Sequence, residues 1–242
     1  VKTRTLTLET PDGPMDLYEA VPDAMRADDV RGAVIVIQEA FGVNNHIEDV
    51  TRRAADAGYH AVAPHIFHRA GGGTAPYDDF STVMPLFAGL TDDGILADVD
   101  AALAHLAGAG FEPQQVGVVG FCMGGRITFL VAARRALGAA VGFYGGGIVT
   151  ARFPQFPPLV DEAATLQTPW LGLFGDRDES IPVADVEAVR AALDAAPVDH
   201  DIVRYADAGH GFHCDVREGH YSADAARDAW DRTLAWFSKH IQ

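Results

Sequence analysis

Val119-Gly120-Phe121-Cys122-Met123-Gly124-Gly125 is the stretch on which the fold of this chain turns. The apolar run Val116 to Val119 feeds it and a helix-like segment from Arg126 to Leu137 follows, which together spell a sharp strand-to-helix turn. Such an elbow holds its central side chain strained and exposed, and only small residues at Gly120 and Gly124 let the neighbouring backbones pass that close. Serine is the usual occupant. A cysteine there changes the nucleophile and keeps the geometry, so the first expectation is a cysteine-dependent hydrolase.

Working outward, near-continuous apolar runs alternate with helical patterns. Ala33 to Ile37 precedes a helix over Asn45 to Ala57, Ala61 to Ala63 precedes one over Asp92 to Ala107, and Val116 to Phe121 precedes the elbow. Ala139 to Tyr144, Trp170 to Phe174, a helix over Val183 to Ala195, Asp201 to Tyr205 and a last helix over Ser222 to His240 continue the series. Fully apolar strands bounded by helices imply a parallel sheet covered on both faces. Before them, Lys2 to Glu9 alternates, Pro11-Asp12-Gly13 turns the chain and Met15 to Ala20 returns, which predicts an antiparallel hairpin at a sheet edge. The expected fold class is α/β, one domain over 1–242, with a mostly parallel twisted sheet. Thr91 before Asp92 and Asp93 predicts an N-cap with an acidic first turn, and Ile95, Val99, Ala102, Leu103 and Leu106 keep one apolar stripe. Trp230, Leu234 and Phe237 are expected to face the core, with Asp224, Asp228 and Asp231 in solvent. His65 to Leu90, with Gly71-Gly72-Gly73, and the proline-rich Gly145 to Thr168 resist regular assignment and follow strand ends, where open α/β sheets bind ligands.

A length of 242 residues and 48% hydrophobic composition suit one well-buried α/β domain. The formal net charge of −16 argues against nonspecific attraction to nucleic acid or anionic membranes. No apolar run approaches the roughly 20 residues that span a bilayer, and Val1-Lys2-Thr3-Arg4-Thr5 lacks the apolar core of a signal peptide, so a cytoplasmic location is the expectation. Two cysteines cannot form a disulfide scaffold.

A nucleophilic cysteine needs a base, and the base an orienting acid. Phe174-Gly175-Asp176-Arg177-Asp178-Glu179-Ser180 starts at a strand end, and Tyr205-Ala206-Asp207-Ala208-Gly209-His210-Gly211 places a histidine after the last strand. Cys122, Asp178 and His210 thus follow in the nucleophile, acid, histidine order of α/β-hydrolases. Gln38-Glu39-Ala40-Phe41-Gly42 follows the first long apolar strand, the loop that supplies the second oxyanion donor in that fold. The backbone N–H groups of Met123 and Ala40 are the expected donors. A carboxylate at Glu39, at the end of a buried strand, is costly unless paired; a salt bridge or a place beside Cys122 would each account for it.

Four blocks, Gln38 to Asn44, Gly120 to Gly125, Gly175 to Pro182 and Ala208 to Phe212, resemble the dienelactone hydrolase family (carboxymethylenebutenolidase-like) of α/β-hydrolases across nearly the whole chain. The resemblance implies hydrolysis of a lactone or ester by Cys122, Asp178 and His210, with no cofactor or metal and a small-molecule partner. It also implies that Glu39 interacts with the resting thiol, which stays protonated until substrate displaces the glutamate. The family's two carboxylate-binding arginines are absent: Cys214 stands four residues after His210, and no arginine lies between Ala70 and Gln115. Arg69, Arg126, Arg152 and Arg177 remain as cations whose reach the spacing does not fix, and a substrate without a free carboxylate is expected. Rival readings are a metal site using His65 and His68 or His210, His213 and Cys214, and a thiol-based redox protein using Cys122 and Cys214. His46, His60, His105, His200, His220 and His240 show no pattern and are taken as surface or helix residues. The oligomeric state is open.

Overall fold

A computed structural model describes residues 1–23 and 30–242. Strands β1 (Lys2–Thr10) and β2 (Gly13–Val21) form the hairpin, with Lys2 opposite Val21 and Thr10 opposite Gly13, so Pro11 and Asp12 make the turn. The remaining strands are β3 (Ala33–Ile37), β4 (His60–Pro64), β5 (Val116–Phe121), β6 (Ala139–Phe143), β7 (Trp170–Gly175) and β8 (His200–Tyr205). They lie in the order β1-β2-β4-β3-β5-β6-β7-β8, parallel from β4 to β8, with β2 antiparallel to β4. The expected α/β-hydrolase architecture with an antiparallel hairpin at one edge is present. Every residue of β3, β5, β6 and β7 is buried, which requires cover on both faces of the sheet.

The cover comes from α1 (Asn45–Asp56), α2 (Val83–Phe87), α3 (Asp92–Gly108), α4 (Met123–Arg134), α5 (Val183–Leu193) and α6 (Ala223–His240). Thr91 caps α3 as expected, its hydroxyl accepting from the Gly94 N–H at 3.1 Å, and Ile95, Val99, Ala102 and Leu106 are buried beneath it. The elbow helix α4 differs from its sequence pattern at both ends. It starts at Met123, because Gly124 and Gly125, poor helix formers in isolation, occupy its first turn where the sheet backbone leaves no room for side chains. It stops at Arg134, since Arg135 is extended at φ −136° and ψ 144°. In α6, Phe237 is buried, but Trp230 and Leu234 are only partly so; the inward face is Ala225, Ala226, Ala229, Thr233 and Trp236. Small residues let this helix lie close to the sheet, and the Phe237 ring packs over Gly117 of β5. The two irregular stretches are only partly structured, by 3-10 turns at His68–Ala70, Phe80–Thr82 and Val160–Thr165 and by the single α-helical segment α2. Among the described residues no helix is long and apolar enough to cross a membrane.

Candidate active site

Cys122 follows β5, Asp178 follows β7, His210 follows β8 and Glu39-Ala40 follows β3. Because these strands are parallel, all of them stand on the carboxyl edge of the sheet. Cys122 sits at φ 54° and ψ −113°, a conformation that side-chain-bearing residues rarely adopt and that an elbow imposes. The neighbouring glycines explain how it is held. A Cβ on Gly120 would lie 2.2 Å from the Gly124 carbonyl oxygen, and one on Gly124 would lie 2.5 Å from that of Ile37.

His210 Nδ1 stands 2.6 Å from Asp178 Oδ2. The other carboxylate oxygen, Oδ1, accepts from the Ser180 N–H at 2.8 Å, the Ser180 hydroxyl at 2.5 Å and the Ile181 N–H at 3.2 Å. Asp178 therefore orients the imidazole and ties its own loop at once, one oxygen for each task. Burial would raise the Asp178 pKa, but hydrogen bonds from His210 and Ser180 outweigh it and hold the carboxylate below its ordinary range. Burial would likewise lower that of His210; the charge of a Cys122 thiolate, the Asp178 hydrogen bond and a hydrogen bond to Cys122 instead push it up to about 10. With Nδ1 on Asp178, the second ring nitrogen is left for the thiol.

Glu39 is almost fully buried, and its hydrogen-bond donors are phenols: Tyr77 Oη at 3.0 Å and Tyr144 Oη at 3.5 Å. Among the described residues it has no salt bridge. Tyr144 stands at φ 38°, just past β6, again on the carboxyl edge. Burial raises the pKa of this phenol, and the nearby Glu39 charge raises it further, so the tyrosine remains a donor to the glutamate. Neither tyrosine is signalled by a motif; both come to the site through long-range packing.

Cys214 is fully buried, with its thiol 3.5 Å from Tyr77 Oη. Burial and the Glu39 charge push its pKa up to about 12, which disfavours thiolate formation at this sulfur. Among the described residues the two histidine-rich runs do not gather metal ligands. His68 Nε2 meets Asp98 at 3.0 Å, His210 meets Asp178, and His213 is wedged among Phe121, Phe143 and Trp230.

A cavity of about 280 Å³ opens over Cys122, Met123, Ala40 and His210. Its walls carry Phe80, Phe87, Phe153 and Phe156, with Phe87 and Phe153 packed edge to face at 5.1 Å between centroids. Of the four arginines in question, Arg126 and Arg152 reach this cavity; Arg69 is engaged by Asp98 and Asp12, and Arg177 by Asp207. Arg126 is buried and bidentate on Asp92 at 2.7 and 3.0 Å, and it also donates to the Pro157 carbonyl at 2.7 Å. Its charge is thus balanced within the wall. Arg152 donates to the Ser180 carbonyl and has no carboxylate partner among the described residues.

His46 lies in a helix as expected, buried in α1 at 6.0 Å from the His213 ring, and His213 Nδ1 has no hydrogen-bond partner among the described residues. Burial, with a smaller effect from His46, lowers the His213 pKa to about 3. A depressed folded-state pKa means that the unfolded chain binds the extra proton first. Stability is then complete above the ordinary value of about 6.5 and falls as pH drops toward 3. Urea unfolding at pH 7 and pH 4.5 is expected to differ by on the order of 2 kcal/mol through this residue. His213→Phe should remove that portion of the acid sensitivity, and an unchanged pH slope would assign it elsewhere.

A family model for the dienelactone hydrolase family matches residues 16–241. The chain is 42% identical over 233 residues to a Salmonella typhimurium protein named "Putative carboxymethylenebutenolidase", covering 93% of this chain and 83% of that one. It is 30% identical over 211 residues to the carboxymethylenebutenolidase of Rhodococcus opacus, covering 86% and 81%. The crystal structure of a Klebsiella pneumoniae protein described as "Putative Dienelactone Hydrolase" superposes with a TM-score of 0.90 at 39% identity over 98% of both chains.

Proposed function

The chain belongs to the dienelactone hydrolase family and is a hydrolase of ester or lactone bonds, and from that premise we propose that it works through Cys122 as nucleophile and a thioester intermediate. The observation that carries this reading is a thiol at a left-handed elbow position, coupled to a histidine whose Nδ1 lies 2.6 Å from a buried carboxylate. His210 takes the thiol proton and the Cys122 thiolate attacks the carbonyl carbon. The N–H groups of Met123, at the start of α4, and of Ala40, on the facing loop, donate to the oxyanion; loss of one such donor typically costs about two to three orders of magnitude in rate. Collapse breaks the acyl C–O bond, and the departing oxygen takes the proton from His210. Water deprotonated by His210 then attacks the thioester, releasing the acid and restoring the thiol. Asp178 keeps the imidazole in the required tautomer and balances its positive form.

Glu39 sets the resting state. In this reading the buried carboxylate, held by Tyr77 and Tyr144, disfavours a second negative charge on the thiol. Glu39→Gln is expected to raise the alkylation rate of Cys122 near neutral pH, measured with iodoacetamide and mass spectrometry across a pH series. Identical profiles for the two proteins would remove Glu39 from this role.

The apolar cavity walls and the internally balanced Arg126 support a substrate with an apolar body around the scissile carbonyl and no carboxylate. A size-matched panel of neutral and carboxylated lactones and aryl esters tests this directly, with the neutral members expected to be preferred. A second reading rests on Arg152, the cavity cation that faces no carboxylate among the described residues. Preference for carboxylated members that disappears in Arg152→Gln would make that residue the anion clamp.

A further inference from the structure

Three side chains far apart in sequence converge at the opposite end of the sheet from Cys122. Glu19 comes from β2, His60 opens β4 and His105 stands in the last turn of α3. Since β4 runs parallel to β5, its first residue lies at the amino edge, away from the elbow. Glu19 Oε1 is 2.8 Å from His60 Nε2 and 2.7 Å from His105 Nε2, and all three donor atoms lie within 4.8 Å of one another. The second carboxylate oxygen is held by Arg4 from β1. We propose that Glu19, His60 and His105 form a binding site for a divalent transition metal of the zinc class, separate from the hydrolytic centre.

The donor set suits such an ion. Two imidazole nitrogens and one carboxylate oxygen are a recurrent zinc combination, with a fourth position left to water. Metal bonds of about 2.0–2.1 Å at tetrahedral angles place donor atoms roughly 3.3 Å apart. The two carboxylate–imidazole spacings, 2.8 and 2.7 Å, need to open by only about half an ångström. Arg4 acts as an outer partner, fixing the carboxylate's orientation while leaving Oε1 to the metal. Access is available, because the His60 and His105 side chains are 15% and 18% exposed while Glu19 is 3% exposed. Among the described residues neither imidazole has a partner on Nδ1, so each ring can place its proton there and offer the Nε2 lone pair. Phe111 packs edge-on against His60 at 5.5 Å, an apolar backing that limits the ring's rotation.

A bound metal would tie the hairpin to β4 and α3 and leave the chemistry at Cys122 unchanged. The test is titration of chelator-treated full-length protein with Co²⁺ and Zn²⁺, followed by calorimetry and by visible absorption of the cobalt form. One equivalent is expected, with cobalt d–d bands, no thiolate-to-cobalt charge-transfer band in the near ultraviolet, and a raised thermal midpoint. His60→Gln and His105→Gln should each weaken binding by more than the roughly 10–100-fold that loss of an outer partner costs, with ester hydrolysis retained in the absence of metal. His105→Gln on the partly exposed helix face guards against a folding defect, checked by the metal-free midpoint. A charge-transfer band would place the ion on a cysteine and overturn the assignment, as would saturable binding that survives both variants or no saturable binding by the wild type.

Discussion

Cys122→Ala is expected to yield a folded protein with no measurable ester or lactone hydrolysis. Alanine keeps the Cβ, so the φ 54° backbone and the glycine contacts on either side of it are unaltered. Only Sγ is lost, from a half-buried position facing the cavity, and the thermal midpoint should stay close to that of the wild type. In a comparable triad, loss of the nucleophile alone costs about six orders of magnitude in kcat. The thioester reading predicts a fall of that order, measured on the substrate panel with the mutant purified free of wild type. Iodoacetamide should label native wild type at Cys122 and spare buried Cys214, while the unfolded chain takes label at both. Wild-type turnover in the alanine protein would sink the nucleophile assignment outright.

Asp178→Asn is expected to lower kcat by roughly four orders of magnitude, the size of loss seen when the acid of such a triad becomes an amide. The substitution separates the two tasks of this side chain. Asparagine keeps a carbonyl oxygen for the Ser180 and Ile181 N–H groups, at 2.8 and 3.2 Å in the wild type, so the loop and the stability should survive. It puts an NH₂ where Oδ2 faces His210 Nδ1 at 2.6 Å, which favours the wrong tautomer. Without the carboxylate the imidazole pKa should also fall, moving the pH profile of Cys122 alkylation. A modest loss with an unchanged profile would mean that Asp178 serves the loop alone.

The placing of the candidate site on the carboxyl edge is legible in the sequence because each of its parts is local. An elbow needs two glycines within a few residues of Cys122, and Asp178 and His210 are marked by strands ending just before them. Parallel strands put all loops that follow them on one edge, so chain order alone was enough to bring the three together. The start of α4 escapes the sequence pattern because Gly124 and Gly125 have poor helix propensity; they are there because the end of β3 passes too close to Gly124, and the end of β6 too close to Gly125, for any side chain. On α6 the aromatic spacing marks Phe237, which is buried, together with Trp230 and Leu234, which pack against the core but are only partly buried; Ala225, Ala229, Thr233 and Trp236 complete the buried face.

From its sequence alone, this chain determined its α/β class, the hairpin at the sheet edge, the family and the candidate triad, since each depends on hydrophobic period or on residues adjacent along the backbone. The tertiary structure decided what depends on distance between remote segments. It gave Glu39 the Tyr77 and Tyr144 phenols as partners, buried Cys214 and raised its pKa, and brought Arg126 and Arg152 to the cavity while Arg69 and Arg177 were engaged elsewhere. It also gathered Glu19, His60 and His105, which the chain separates by tens of residues, onto one carboxylate oxygen. Hydrogen bonds, ion pairs and desolvation act over a few ångströms of space, and separation along the chain does not encode which side chains come within that range.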